Sequence, residues 1–568
     1  AMPGGNEKNT FDAIVIGSGI SGGWAAKELC DLGLKTLVLE RGRNITHIKD
    51  YPTATMNPWD FEHRGANPDA LKKANPVISK CYAWGEDTYQ FFVKDAEHPY
   101  VQEKPFDWIR GYQVGGKSIM WGRACQRWSD FEFTSPLRYG YAIDWPIRYK
   151  DVAPWYSHVE KFAGICGSRD GLEAMPDGDY LPPFEMSCVE EEIKKKISEN
   201  YPDRFMVHSR WAHLTKPNPI HLEQGRGQCQ ARDLCTRGCP YGGYFSSVSS
   251  TLPWAMKTGN LTMRPFSVVH SIIYDEKKGR ASGVRIVDAN THEFVDYFAR
   301  VIFVNAACLN TNLILLNSVS SRFPNGLGND NGLLGKYMSF HNYRGSVSGE
   351  YPGFEDKYTY GRNPAQPIIA NYRNLKKIDT DYIGGFVTFV WSRRSAAAFQ
   401  GTPDGIGDSL KSVLTEPGPW QTGMYMQGEV IPRESNHVRL SKDLKDPWGI
   451  PQLITSIGYD DNADKMVGDF MTQSAEMLEK AGAKNIRTHD SKQAPGLDIH
   501  EMGGCRMGKN PSDSLLNEWN QMHHCKNVFV TDGACMTSTG TQSPSVFYMA
   551  LTARAAHHAA EEMKKGNL

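Results

Sequence analysis

No apolar run in this 568-residue chain approaches the roughly 18 residues that cross a bilayer. No basic–apolar–small pattern of a signal peptide opens it either. The chain is therefore read as cytoplasmic, as having lost its signal, or as exported by a partner that carries one. Net charge is equally scarce: 63 Lys and Arg stand against 64 Asp and Glu. That balance excludes an extended basic surface for nucleic acid and gives no reason to expect a polyanionic substrate. Internal repeats and low-complexity tracts are missing, and the 12 cysteines are mostly isolated, so no disulfide-rich module is expected. The start, Ala1-Met2-Pro3-Gly4-Gly5, reads as an expression remnant or a flexible lead-in.

What is present is a long chain with room for a large core and two domains. Residues 11–42 form a β-α-β pattern: a buried strand over Ala13–Ile16, a turn Gly17-Ser-Gly19-Ile-Ser-Gly22, a helix to about Leu32, and a strand Thr36–Leu39 ending in Glu40. Gly17 permits the tight turn, Gly19 lets the backbone approach a pyrophosphate, and Gly22 lets helix and strand pack closely. The helix N-terminus offers free N–H groups to phosphates, and Glu40 stands where a carboxylate accepts ribose hydroxyls. This predicts a dinucleotide site without choosing between FAD and NAD. A second glycine turn, Gly115-Gly116-Lys-Ser118, implies backbone passing close to a flat ligand; the plain alternative is a tight turn alone.

One cysteine cluster stands out, Cys229-x5-Cys235-x3-Cys239-Pro240. Three thiolates in a tight loop ending Cys-Pro suit an iron–sulfur cluster. The same loop could hold zinc with His221 as a fourth ligand, or consist of ordinary thiols or a disulfide with one left over. Further on, Leu261–Val269, Gly283–Asp288 and Arg300–Asn305 read as strands. From 335 to 460, period-2 segments (385–391, 424–430, 437–440 and 452–457) predict one antiparallel sheet, followed by an amphipathic helix over 462–482. The last 70 residues hold a strand into Asp532-Gly533 and a closing helix from about Pro544. Plentiful Trp (14) and Tyr (25) suit sugar-binding walls and also ordinary core.

The N-terminal fingerprint, Gly115-Gly116-Lys-Ser118, the segment His500-Glu-Met-Gly503-Gly504-Cys-Arg506-Met507-Gly508, and Asp532-Gly533 with its closing helix resemble, in order, the glucose–methanol–choline (GMC) flavoprotein oxidoreductases. The resemblance implies FAD. It implies an α/β plus α+β fold, with a Rossmann-like FAD-binding domain and an antiparallel-sheet substrate domain. The FAD domain is expected from 1–50, 105–125, 255–334 and 495–568. The substrate domain is expected from 51–104, 126–254 and 335–494, with the cysteine loop at 225–245. FAD contacts are expected from Gly17, Gly19, Gly22, Glu40, Gly115, Gly116, Ser118, Val269, Asp532 and Gly533. Met120 stands where pyranose oxidases carry the flavin-linked histidine, so FAD is expected to be non-covalent.

The cysteine loop is similar to that of bacterial FAD-dependent glucose dehydrogenases. By that resemblance Cys229, Cys235 and Cys239 ligate a [3Fe-4S] cluster. The segments 428–432 and 446–451 resemble the sugar-oxidising, pyranose-oxidase-like branch, and glucoside 3-dehydrogenases within it. A sugar dehydrogenase oxidising C3 of glucose-type sugars and glycosides is thus implied. An accessory subunit would carry the export signal to the periplasm, and a cytochrome-type acceptor would take the electrons. The competing readings are a pyranose-oxidase-like enzyme that uses O2 and keeps the cysteines as structure, and a catalytically impaired FAD or electron-transfer subunit.

Oxidising a secondary alcohol requires a base for the hydroxyl proton while hydride leaves carbon, and a neutral imidazole suits the first task. His500 is assigned that role from the matched motif. Gln542-Ser543-Pro544 departs from the family, which places His or Asn at the serine, and Ser543 is read as orienting the hydroxyl. Gln427, Glu429, Trp391 and Arg393 are expected to face the sugar; sheet packing or a surface position is the plain alternative for each.

Overall fold

The computed structural model describes residues 7–358, 364–394 and 406–568; the Ala1–Gly5 start lies outside these. Three sheets organise the chain. The first is built on strand Thr10–Ile16, whose residues Ala13, Ile14, Val15 and Ile16 are fully buried. It pairs in parallel with Thr36–Leu39 on one side and Phe294–Val304 on the other. Leu261–Arg264 extends the first edge, and Val528–Val530 pairs in parallel with the end of Phe294–Val304. An antiparallel meander, Ser267–Asp275, Arg280–Asp288 and Phe294–Val304, completes it. Near-continuous apolar strands are what a parallel sheet covered on both faces requires.

Helix Ile20–Asp31 follows the first strand, and the alanine-rich helix Ser545–Lys564 and helix Tyr149–Ala163 pack alongside it. The single strand expected over Leu261–Val269 is instead two, Leu261–Arg264 and Ser267–Asp275. Pro265 intervenes, and Phe266 adopts a left-handed φ of 53°. The chain thereby leaves the parallel edge and starts the meander.

The second sheet is antiparallel, in the order 484–490, 345–351, 420–429, 386–394, 368–369, 206–207. Helix Asp461–Lys480 covers it with Met466, Val467, Phe470, Met477 and Leu478, a 3.6-residue stripe, and Asp460 caps it by accepting from the Ala463 N–H at 2.9 Å. The expectation of one sheet from 335 to 460 is corrected. Strands His437–Lys445 and Pro451–Ser456 pair with each other in a third, five-stranded sheet with Lys336–Ser339, Met502–Gly504 and Val101–Gln102. Alternation identifies a strand but does not say which sheet it joins.

Candidate active site

A cavity of about 800 Å³ lies against the C-terminal end of the first parallel strand. Gly17, Gly19 and Glu40 line it, as do Gly116, Ser118, Val269, Asp532, Gly533, His500 and Ser543. Gly17 has φ 103°, and a Cβ there would meet the Asn305 carbonyl oxygen at 2.1 Å. A Cβ on Gly22 would lie 2.0 Å from the Gly17 oxygen, so helix and turn touch only because both are glycine. At Gly19, by contrast, a Cβ would meet nothing within 4 Å: this backbone faces open cavity. Helix Ile20–Asp31 begins there with no side-chain cap and no acid in its first turn, leaving its N–H groups for an anion.

Glu40 is buried; its Oε1 accepts from the Ser18 hydroxyl at 2.6 Å and its Oε2 from the Gly42 N–H at 2.8 Å. Burial pushes its pKa up, against the pull of those donors. Ser18 also joins the two glycine turns, its Oγ accepting from the Gly115 N–H at 3.1 Å. Gly115 packs behind the wall, with a Cβ position 2.3 Å from Val248. Asp532 accepts from the Thr311 hydroxyl at 2.5 Å and the Ala534 N–H at 2.9 Å, and burial lifts its pKa to about 6. An elongated cavity with bare backbone at one helix N-terminus and a buried carboxylate beside it fits a dinucleotide.

The reacting end is built from three distant segments. His500 lies beside His341 with Nδ1 to Nδ1 at 2.8 Å, and the His341 Nε2 lies 3.0 and 2.9 Å from the Thr539 and Gly540 carbonyl oxygens. One Asp498 carboxylate oxygen accepts from both backbone amides, His341 at 2.9 Å and His500 at 3.2 Å. Burial holds His500 well below its ordinary pKa, with the His341 and Lys117 charges adding to it. Ser543 Oγ donates to Gln427 Oε1 at 3.2 Å, Tyr343 Oη donates to the same oxygen, and Gln427 Nε2 donates to the Thr541 carbonyl at 2.7 Å. Tyr343, Tyr425 and Phe389 also line this part of the cavity.

Of the four residues expected to face a sugar, three are elsewhere. Glu429 is buried behind the sheet, accepting from Ser135, from Tyr141 at 3.2 Å and from the Gly385 N–H at 3.3 Å. Trp391 packs over Gly423, Arg393 stacks on Trp391 at 5.4 Å, and neither lines the cavity. Of strand Phe386–Arg394, Phe389 lines the cavity. Gln427 is fully buried and reaches the cavity through Ser543 and Tyr343. His341, Tyr343 and Asp498 had no motif to reveal them.

Cys229, Cys235 and Cys239 are free, partly exposed thiols in one loop whose Asp233 reaches the cavity wall. The loop curls through left-handed Ala231 (φ 51°) and Asp233 (φ 55°), and at Gly238 (φ 82°) only glycine clears the Tyr51 ring. Backbone N–H groups of Ala231 and Gly243 point at the Cys229 and Cys239 sulfurs at 3.5 and 3.4 Å. His221 is removed as a zinc ligand: its Nδ1 accepts from the Asn218 N–H at 3.0 Å and its Nε2 faces the Lys161 carbonyl at 2.9 Å. Among the described residues, the one His/Cys/carboxylate group gathered within 4.8 Å is Glu28–His158–His557. The three sulfurs are thus more spread than the about 3.8 Å that tetrahedral zinc sets between thiolates.

GMC oxidoreductase sequence profiles match residues 11–342 at the N-terminal side and 432–552 at the C-terminal side. The chain is a GMC oxidoreductase. It is 27% identical to 2-methyl-1,2-propanediol dehydrogenase of Mycolicibacterium austroafricanum, over 96% of this chain and 94% of that one. It is 25% identical to the fructose dehydrogenase large subunit of Gluconobacter japonicus, over 99% and 100%. Its fold matches a variant of Aspergillus oryzae formate oxidase with a TM-score of 0.59 at 13% identity, covering 99% and 100% of the two chains. The family's cofactor is FAD, and the cavity's glycine turns, bare helix N-terminus and Glu40 are what this GMC oxidoreductase offers it. No helix among its described residues is long and apolar enough to cross a membrane.

Proposed function

We propose that the chain is the catalytic subunit of an FAD-dependent dehydrogenase that oxidises a secondary hydroxyl of a neutral sugar or glycoside, at C3 of a glucose-type ring, to a keto sugar. A [3Fe-4S] cluster on Cys229, Cys235 and Cys239 would carry electrons singly to a cytochrome-type acceptor, with an accessory subunit bringing the pair to the periplasm. FAD, held non-covalently beside Met120, supplies the hydride acceptor. The observation that carries the sugar reading is the acceptor-lined face of the site. Gln427, its amide turned by the Thr541 carbonyl, draws the hydroxyl protons of both Ser543 and Tyr343 to its own oxygen. Their lone pairs are left for the cavity, beside the His500 ring. A site of acceptors suits a ligand with several O–H donors.

In this reading His500 removes the hydroxyl proton, Ser543 and Tyr343 orient the ring, and Gln427 holds both. The assignment of C3 rests on the sequence resemblance. His500→Ala protein should retain FAD and lose anaerobic flavin bleaching by methyl glucoside; normal bleaching would remove His500 from the chemistry. Product NMR after turnover of methyl glucoside fixes the position, and a requirement for a free C1 hydroxyl would sink the C3 reading.

A further inference from the structure

We propose that His341 is a positioning residue that sets the tautomer of His500, keeping the proton on His500 Nδ1 and a lone pair on Nε2. The inference rests on His500 being the base in the reaction proposed above. The His341 Nε2 faces two carbonyl oxygens, Thr539 at 3.0 Å and Gly540 at 2.9 Å. Carbonyls only accept, so this nitrogen carries a hydrogen. A neutral imidazole has one N–H, and full burial keeps His341 neutral, with its pKa down at about 4. Its Nδ1 is therefore an acceptor, and the 2.8 Å contact to His500 Nδ1 needs a hydrogen from His500. The other nitrogen of His500 is then unprotonated, and His500 lines the cavity.

The backbone fixes both rings for this bond. A single Asp498 oxygen holds both amides, and the rings meet edge to face with centroids 5.1 Å apart. Ile499, between Asp498 and His500, is held at φ 64°, a conformation β-branched residues avoid. When the substrate O–H breaks, its proton would go to His500 Nε2 and the electron pair would remain on oxygen to form the carbonyl, the hydride from carbon being taken up by the FAD that the cavity would hold. The imidazolium so formed keeps its Nδ1–H···Nδ1 bond.

The test is ¹⁵N-histidine NMR of the FAD-loaded enzyme, with the His500 resonances assigned from the His500→Ala spectrum. Wild-type His500 should show a protonated Nδ1 and a pyridine-like Nε2; a protonated Nε2 overturns the proposal without reference to any substrate. His341→Leu should lose this signature and slow methyl-glucoside bleaching by about 100-fold or more at unchanged half-saturation, the scale of a general base. His341→Gln, whose amide oxygen and nitrogen reproduce one acceptor and one donor, should recover to within about tenfold. Wild-type bleaching rates in His341→Leu would refute the role. If the wild-type enzyme fails to bleach with methyl glucoside, the substrate reading falls, while the NMR signature still decides the tautomer.

Discussion

Ile499 and Asp498 show how much conformational cost one residue's placement carries. A left-handed β-branched residue costs on the order of 1–3 kcal/mol, and here it turns the chain so that one carboxylate spans two amides. Burial, despite the His341 amide and with the Glu501 charge adding, lifts Asp498 from 3.8 to about 7. The sign follows from linkage: below 3.8 the carboxyl is neutral in both states, and between 3.8 and about 7 only the unfolded chain ionises. Asp498 therefore stabilises the fold in acid and loses that contribution as pH rises through this window. The imidazoles of His341 and His500, both lowered in pKa, act with the opposite sign, so the measurement is a difference. Asp498→Asn should show a melting temperature that falls less, or rises more, between pH 4 and 7 than wild type; identical pH slopes would refute the shift. At this scale the gathering of Gly17, Gly19 and Glu40 on one cavity wall was legible, because all three belong to a single β-α-β unit. His341 was not, since its role exists only where residues 341, 500 and 539 meet.

Helices show a different balance. Helix Ile20–Asp31 presents Glu28, which is 2% exposed, to His158 of Tyr149–Ala163 at 2.5 Å and to His557 of Ser545–Lys564 at 2.9 Å. Burial alone would raise this carboxyl, yet the two imidazole bonds and Lys27 hold it well below the usual range. Each oxygen serves one imidazole, so the residue ties three helices behind the nucleotide end of the cavity. An amide has one acceptor for two donors. Glu28→Gln should therefore lose about 1–3 kcal/mol, read as a lower first unfolding transition with FAD still bound; an unchanged transition would show that the helices hold by apolar packing alone. Helices Ile20–Asp31 and Ser545–Lys564 were legible in the sequence, whereas Tyr149–Ala163 was not. The partition of strands between the second and third sheets was not, because period-2 alternation records burial of a face and carries no information about the neighbour.

Across the whole molecule, two pieces of chemistry share one wall. His500 and Ser543 lie in the same cavity as Asp233, which belongs to the loop of Cys229, Cys235 and Cys239. The cysteine loop is partly exposed. Arg123 lines the cavity and acts on Cys229 and Cys235, opposing the burial that raises both thiols. That charge favours the thiolates a cluster needs. On the proposed function the loop would be the route outward, and its removal would separate the two half-reactions. Cys235→Ala should keep FAD and anaerobic bleaching by methyl glucoside, lose iron and the three-iron paramagnetic signal, and reduce added cytochrome c far more slowly than wild type. Wild-type protein free of iron that bleaches with sugar and releases peroxide would instead make the cysteines structural and the enzyme an oxidase. Cytochrome reduction undiminished in the variant would show that electrons leave by another face.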